Sequence, residues 1–383
     1  MIASSEGENP RSAKTSEPFR WPTSYVGIVH PLAEATNGRE RADEFVRFAS
    51  EALAGASYDD AKAAFKVSHQ QAETRKSMLE EMGLLYVPRN SNRVIVTPVG
   101  KQLYDLLSAG TPDDALTKKR INAVIAWALS NSQLNRPQSR GTPSPAAGQW
   151  ESCDIRPYAA GWQAILELDG WLRLDEFFGV LWFTHTVEDV GPAIEAIREV
   201  RAIGKDLIDP KRFARDGDLM NPRIYWASHL SSGGTILRIP EGTDRLEVRD
   251  ESRELLETVL RFAGGCGIGG SETSFRARPY KSVEEYFESV AGRACPEFLF
   301  SGSMRVENVG HEPITILEGY KTELSGDDII LHGGPELCSI ALNAPCYHKS
   351  VPGRLLRLAV KEESPDYQVI LKLRRARVFR GTF

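Results

Sequence analysis

The chain has 383 residues, with 47 Lys and Arg against 52 Asp and Glu, which gives a formal net charge of −5 at pH 7. This balance excludes a protein coated in basic charge and lowers the expectation of nonspecific nucleic-acid binding, although a local basic surface stays compatible with it. Five Cys at irregular spacing exclude a regular disulfide framework, and no apolar run approaches the length of a membrane span.

The first 20 residues are polar and unlike a signal peptide, and they predict a disordered tail on a cytoplasmic protein. The stretch RERADEFVRFASEALAG then predicts a first helix. SYDDAKAAFKV predicts a second, short helix whose N-cap is Ser57, with Asp60 three positions on.

A third helix is predicted from Ser68, which forms a capping-box pattern with Gln71. Apolar residues recur on it at helical spacing, and Gly83 is placed to end it. Two short apolar strands follow, separated by the polar turn PRNSNR at residues 88–93, and Thr97 then caps a further helix.

Three helices followed by a two-stranded ribbon resemble the winged-helix superfamily, whose best-known use is reading DNA. The resemblance implies that the helix from Ser68 enters the major groove, where its outward polar side chains can bond base edges. Arg89 and Arg93 on the ribbon can meet phosphate or the minor groove. Glu73 and Glu81 near the same face would repel phosphate, and the alternative is a winged helix that only packs against another domain. The predicted DNA contacts of this module are Gln70, Thr74, Ser77, Arg89, Asn92 and Arg93.

The first module is predicted to span residues 21–131, because TPDDALTKKRINAVIAWALSN adds a linking helix capped by Thr111, with Pro112 at its first position. Residues 132–156 are rich in Pro, Ser and Gly, and they predict a long exposed linker. A further module is expected beyond this linker.

The hairpin pattern recurs at residues 233–260, GGTILRIPEGTDRLEVRDESRELLETVL. Arg245 follows its Pro by the same interval as Arg93 follows the Pro of the first copy, and an Asn-Pro pair upstream predicts the start of the preceding helix. A second winged-helix module is therefore predicted over residues 157–263. The alternative is coincidence, since helix–hairpin–helix patterns are common. Its predicted DNA contacts are Arg223, Tyr225 and Arg245.

A winged module, a helix, a Pro-rich loop beginning near NRP and then IRPYAAGWQAILELDGWLRLDEFF together resemble the DNA-recognition region of type II restriction endonucleases of the FokI and AlwI kind. The resemblance implies tandem winged helices that read an asymmetric site. Such enzymes also carry clustered carboxylates that hold Mg²⁺ beside a Lys. Asp209 and Lys211 have the D-x-K spacing, but no acidic partner strand precedes them. The sequence therefore favours a chain that does not cut DNA, and no catalytic residue is predicted.

Residues 264–280 predict a flexible Gly-rich linker, and their G-x-G-x-x-G match lacks the preceding strand and following helix of a dinucleotide site. His332, Cys338, Cys346 and His348 match no standard zinc spacing. No cofactor and no metal are therefore predicted.

From residue 295 to 383, short apolar stretches separated by turn residues predict a small antiparallel β-sandwich. The segment VENVGHEPITI resembles the opening strands of bacterial immunoglobulin-like domains. Arg375 and Arg377 alternate with apolar neighbours near the basic end, where they either bind phosphate or protect a strand edge. The predicted fold is thus α+β and multidomain, with two winged-helix modules followed by the sandwich.

The sequence as a whole predicts a cytoplasmic protein that binds duplex DNA through tandem winged helices and recognises a site in a bacterial restriction or phage-defence system. A transcription regulator is the first alternative. The second is a protein-interaction scaffold that never touches DNA, which the acidic net charge favours. The expected partners are double-stranded DNA and a partner nuclease or another protein subunit, with no membrane.

Overall fold

The computed structural model describes most of the helical part of the chain and the backbone of six later strands. The described residues are 21, 29–30, 38–109, 115–137, 139–140, 152–204, 226–263, 276–296, 299, 304–309, 312–317, 321–325, 328–333, 356–363 and 366–373. Within them, helices predominate and the sheets are small and antiparallel, which confirms the predicted α+β class. The predicted tail at residues 1–20 lies outside the described residues.

The first hairpin unit, residues 38–108, contains three helices, a two-stranded hairpin and a fourth helix. Its elements are α1 (Gly38–Leu53), α2 (Tyr58–Ala63), α3 (His69–Glu81), β1 (Leu85–Tyr86), β2 (Ile95–Val96) and α4 (Pro98–Ser108). The Ser57 and Thr97 hydroxyls accept hydrogen bonds from backbone N–H groups three residues on, and Ser68 forms the full capping box with Gln71. The predicted helices, caps and hairpin of this unit are therefore confirmed.

The second hairpin unit, residues 157–262, follows a joining helix, α5 (Ala115–Ser130). Within the described residues of this unit, the elements are α6 (Pro157–Glu167), β3 (Trp171–Arg173), α7 (Leu174–Gly179), α8 (Val187–Ile203), β4 (Leu237–Arg238), β5 (Arg245–Val248) and α9 (Asp250–Phe262). The sequence predicts two helices broken at Gly170, and α6 and α7 lie there with the unpredicted strand β3 between them. Residues 226–230 are helical and precede β4. Thr111 and Asn221, at which two helices are predicted to begin, lie outside the described residues.

The two hairpins share one strand register. The equivalent pairs of the first and second unit are Leu85↔Val96 with Leu237↔Val248, and Ser57↔Arg93 with Arg173↔Arg245. In each unit, the segment between the first two helices thus pairs with the arginine at the equivalent position, which is Arg93 just before β2 in the first unit and Arg245 at the start of β5 in the second. Arg93 and Arg245 occupy equivalent positions, as the predicted repeat requires. The second unit differs in carrying α8 in addition to the helical residues 226–230 between its second helix and its hairpin, where the first unit has α3 alone.

One hydrophobic core runs through both hairpin units and α5, which packs against α4, α6 and α9. Four aromatic rings from distant parts of the chain meet in it with centroids 5.3 to 5.6 Å apart, and they are Trp21, Tyr158, Phe177 and Trp226. The buried Tyr158 hydroxyl donates to Glu81 at the end of α3 and lies 2.8 Å from His229 Nδ1. The units therefore share apolar and polar contacts instead of packing separately.

The predicted exposed linker at residues 132–156 is partly buried, which corrects the sequence prediction. Its buried described residues are Ser132, Gln133, Leu134, Ser139, Cys153, Ile155 and Arg156. Gln133 Nε2 donates to Arg278 O at 2.8 Å. Polar side chains that suggested a solvated loop therefore satisfy backbone groups of packed segments, because a buried carbonyl needs a donor.

Residues 276–296, here called the return segment, fold back onto the first hairpin unit. The segment contains α10 (Val283–Tyr286) and a π-helical turn (Phe287–Ala291), and Phe287 stacks on Tyr86 with centroids 4.7 Å apart. The backbone N–H and C=O of Cys295 both bond the Gln102 amide on α4. The last residues of the predicted flexible linker are therefore packed against the first hairpin unit. Cys295, where the predicted β-sandwich begins, is bonded to α4 and belongs with the helical units instead. The reason is that aromatic residues of the return segment supply apolar surface that the preceding Gly-rich stretch lacks.

The β-rich part contains a four-stranded antiparallel sheet and a separate hairpin. Its strands are β6 (Met304–Val309), β7 (Glu312–Leu317), β8 (Lys321–Ser325), β9 (Asp328–Gly333), β10 (Leu356–Glu363) and β11 (Asp366–Leu373). The sheet order is β10-β11-β9-β8, and β6 pairs with β7. Antiparallel strands agree with the prediction for this end of the chain, whereas their packing as a β-sandwich stays a prediction. Arg375 and Arg377 lie outside the described residues.

Candidate nucleic-acid interface

The N-terminal half of α3 presents polar side chains to solvent. Its exposed residues are His69, Gln70, Gln71 and Thr74. The Gln71 amide oxygen accepts the Ser68 N–H in the capping box, and the Thr74 hydroxyl donates to Gln70 O at 3.0 Å. Gln70 is thus the glutamine of this turn whose side-chain amide takes no part in capping, as the sequence predicts for a residue that contacts bases.

Ser139 and Arg140 cover the C-terminal half of α3. Lys76 Nζ lies 3.2 Å from Glu80 and 3.3 Å from Ser139 Oγ, and it donates to Arg140 O. Burial lowers the pKa of Lys76, while the attraction of Glu80 opposes that shift. The prediction that Ser77 points outward is wrong, because its Oγ atom is buried.

The first hairpin tip, residues 88–93, carries two exposed arginines, Arg89 and Arg93. The backbone of Arg93 bridges to Ser57, which keeps this end of the tip beside α2. The predicted polar turn is confirmed, and its two cations lie at the solvent side, where they can approach a phosphate without a desolvation cost inside the protein.

Asn92, predicted as a DNA contact, is exposed but makes hydrogen bonds to other residues of the chain. Its backbone oxygen accepts a hydrogen bond from Tyr58 N at 2.6 Å, and its Oδ1 accepts one from Arg140 Nη1 at 2.8 Å. These bonds make Asn92 a fixed part of the tip, so the two arginines are the better candidates for contact with DNA.

The two acids expected to repel phosphate are held by internal partners. Glu73 Oε1 lies 3.0 Å from Lys62 Nζ, and its Oε2 accepts the Tyr58 hydroxyl at 2.5 Å. Partial burial raises the pKa of Glu73, but these two hydrogen bonds outweigh it and the pKa is lowered overall. Glu81 accepts the Tyr158 hydroxyl. The repulsion expected from Glu73 is therefore reduced by a neighbouring positive charge.

Arg245, the predicted DNA contact of the second hairpin, is half-buried and paired. Its Nη2 lies 2.8 Å from Glu247 Oε1, and its guanidinium carbon lies 5.0 Å from the ring centroid of Trp171. The opposite charge and the ring both compete with a phosphate for this side chain. Arg223 and Tyr225 lie outside the described residues.

The two hairpin tips have equal length and opposite charge. Glu241 in the second tip is equivalent to Arg89 in the first, and Asp244 is equivalent to Asn92. Both acids are exposed. The second tip is therefore unsuited to phosphate, although it shares the register of the first.

The described residues contain no group of three or more His, Cys, Asp or Glu side chains placed to hold a metal ion. Asp209 and Lys211, the D-x-K pair of the sequence, lie outside the described residues. Within the described part of the chain, no helix is both long enough and apolar enough to cross a membrane.

Arg140 is the residue of this region that the sequence does not predict. It lies in the Pro- and Ser-rich stretch, 48 positions from Asn92 along the chain. A lone Arg among turn residues gives no local signal of such a contact, because helical and strand periodicity report only on neighbours in sequence.

Comparison with known protein families finds no family model that matches this chain, and no curated protein is significantly similar to it.

Proposed function

We propose that the chain binds duplex DNA through the first hairpin unit, used as a winged helix. The observation that carries the proposal is the pairing of an exposed, polar N-terminal half of α3 with a hairpin tip that bears Arg89 and Arg93. A helix-turn-helix protein contacts base edges with the N-terminal residues of its recognition helix, which is the half of α3 that is exposed. The bridge from Ser57 to Arg93 supports the winged-helix interpretation, since it ties the wing to the helical body.

In the proposed complex, α3 lies in the major groove and the hairpin tip lies on the adjacent backbone. The Gln70 amide can donate to and accept from one adenine edge, and Thr74 can bond either kind of base pair. Arg89 and Arg93 neutralise phosphates, and the N-terminus of α3 adds a partial positive charge to the same side.

The contact with DNA is concentrated on the first unit in this proposal. The second unit has the same hairpin register, but its tip carries Glu241 and Asp244, and its Arg245 is paired with Glu247. Acids placed on a wing would repel the backbone that the first wing attracts. The second unit then supports the first through the shared core.

The wider role proposed for the chain is site recognition in a restriction or phage-defence system, with a partner nuclease or another subunit supplying catalysis and a C-terminal β-sandwich serving as a docking module. A transcription regulator would use the same interface. A protein-interaction scaffold is the second candidate, and the net charge of −5 is the observation that favours it.

Replacing Arg89 and Arg93 together with Ala should weaken binding to duplexes of any sequence by about 10-fold or more near 100 mM salt. The dependence of log K on log salt should also flatten by about two, because two phosphate contacts are lost. Fluorescence anisotropy with a labelled random duplex, titrated at several salt concentrations, measures both effects.

Arg245→Ala is the matched control, because Arg245 occupies the position equivalent to Arg93 and should leave both quantities unchanged. A loss as large in this variant would mean that both units contact DNA. A wild-type chain that does not bind the duplex at about 50 mM salt would overturn the proposed function and favour the scaffold.

Gln70→Ala should change sequence preference more than overall affinity. Loss of a two-point contact with adenine costs about 1 to 3 kcal/mol of discrimination at one base pair. Selection from a randomised duplex library should show a relaxed position in the preferred site of the variant. Gln163→Ala, on α6, is the control, and an unchanged preferred site for Gln70→Ala would remove α3 from base reading.

A further inference from the structure

Ser139 and Arg140 form a brace between α3 and the first hairpin, and the brace is anchored on the buried side of α3. Lys76 Nζ donates to Arg140 O, and the Ser139 hydroxyl donates to Glu80. Lys76 and Glu80 are themselves buried and paired at 3.2 Å. Moving the brace would remove hydrogen bonds from this buried ion pair, which costs more than the loss of the same bonds at the surface, so the backbone of the brace is held firmly in place.

The same two-residue segment is also bonded to the hairpin along its length. Arg140 N donates to Val87 O at 3.1 Å, next to the end of β1. Arg140 Nη1 donates to Ser91 O at 2.9 Å and to Asn92 Oδ1 at 2.8 Å, both within the tip. The guanidinium therefore bonds to the part of the hairpin that lies beyond the paired strands.

The guanidinium also faces α2, where Arg140 Nη2 lies 3.8 Å from Asp59 Oδ2 and its carbon lies 5.8 Å from the Tyr58 ring centroid. Lys62 on α2 joins this group to α3, because its Nζ lies 3.4 Å from Asp59 Oδ1 and 3.0 Å from Glu73 Oε1. A continuous set of polar contacts thus runs from α3 through α2 and Arg140 to the hairpin tip.

The hairpin needs such support because its ladder is short. β1 and β2 pair over two residues each, and six residues of tip follow. An isolated hairpin of this length is at best marginally stable and would move relative to the helix. A wing that is fixed before DNA arrives loses less conformational entropy on binding than a mobile one.

We propose that Arg140 is a positioning residue, which fixes the hairpin tip relative to α3 and so sets the spacing between the base-reading helix and the phosphate-binding arginines. The inference rests on the proposed function. Arg140 acts through Ser91 and Asn92, and the phosphate contacts themselves are made by Arg89 and Arg93.

Arg140→Ala separates this role from a direct phosphate contact. In the DNA-free protein, amide hydrogen exchange at residues 89–93 should become faster by roughly 10-fold, because the bonds from the guanidinium are lost. Duplex affinity should fall by roughly 10-fold while the salt slope stays that of wild type, since no phosphate contact is removed. Arg198→Ala is the matched control, because Arg198 Nη2 also donates to a backbone carbonyl at the surface, Glu167 O, and both residues belong to the second hairpin unit.

Adding Asn92→Ala to Arg140→Ala should weaken affinity little further, because the two side chains act through one hydrogen bond. Adding Gln70→Ala instead should reduce affinity by the product of the two single-variant factors, because Gln70 acts independently of Arg140. A salt slope reduced by about one with unchanged exchange would show that Arg140 contacts phosphate itself and would overturn the proposal. Faster exchange with unchanged affinity would also overturn it. If wild type does not bind duplex DNA, the proposed function fails separately, and faster exchange at the tip still supports the brace.

Discussion

Gly83→Ala is expected to lower the free energy of unfolding by about 3 to 4 kcal/mol, the sum of backbone strain and a steric clash. Gly83 follows the end of α3 with a φ of 70°, in the left-handed region that an L side chain adopts at a cost of about 1 kcal/mol or more. An added Cβ would also overlap Ala291 O, a backbone atom of the return segment. The segment would have to move away from the first hairpin unit to accommodate it.

Gly55→Ala isolates the first of these two costs. Gly55 has a φ of 88°, and an added Cβ would meet no atom within 4 Å. Its expected loss is therefore only the strain of about 1 kcal/mol. Chemical denaturation measures both variants, and amide exchange of the return segment should quicken in Gly83→Ala alone. Equal losses of unfolding free energy in the two variants would show that the return segment does not lie against Gly83.

The elements that sequence predicts well here are those fixed by neighbours along the chain. Ser57, Ser68 and Thr97 each accept a hydrogen bond from a backbone N–H group three residues on. Because this bond forms within the first turn, the cap residue seen in the sequence directly marks where the helix begins. The equal spacing of Arg93 and Arg245 from their prolines is also a local signal. It predicts that the two hairpins share a register, since hairpin register depends on the length of the turn.

The parts that sequence does not predict depend on contacts between distant residues. The polar side of α3 contains Lys76 and Glu80, which are buried because they pair with each other and with the brace. Helical periodicity predicts that polar residues opposite the apolar face are exposed, and for this reason it does not predict the burial of Lys76, Glu80 or the Ser77 hydroxyl. The candidate site is thus predicted at Gln70 and at the hairpin tip but not at its brace.

The difference between the two hairpin tips shows how one fold can carry two surface chemistries. Their backbones share a register, yet Arg89 is matched by Glu241. Register follows from apolar residues and turn length, whereas tip side chains point to solvent and contribute little to folding. Resemblance between the units therefore supports a common fold, and the function of each has to be argued from its own charges.

Acidification below pH 6.5 is expected to destabilise the protein through His30. This side chain is buried, with its Nε2 atom 3.0 Å from Asn122 Oδ1 and 3.2 Å from Thr235 Oγ1. The Thr235 hydroxyl donates its hydrogen to Ser232 O, so Nε2 carries the ring proton and donates to both oxygens. Burial lowers the pKa of His30 from 6.5 to about 4, although the hydrogen bond to Asn122 opposes the shift.

Because the folded state holds His30 neutral, the unfolded chain takes up a proton first as the pH falls. The stability contributed by His30 is therefore fully present above pH 6.5, decreases as the pH falls from 6.5 towards 4, and is lost below that. The whole change is about 3 kcal/mol, of which about 2 kcal/mol should be lost by pH 5. Urea unfolding at pH 7 and pH 5 measures it, and the difference between wild type and His30→Gln removes the contribution of all other groups. A variant that loses as much stability as wild type between these two pH values would show that His30 is protonated in the folded protein or is not buried in it.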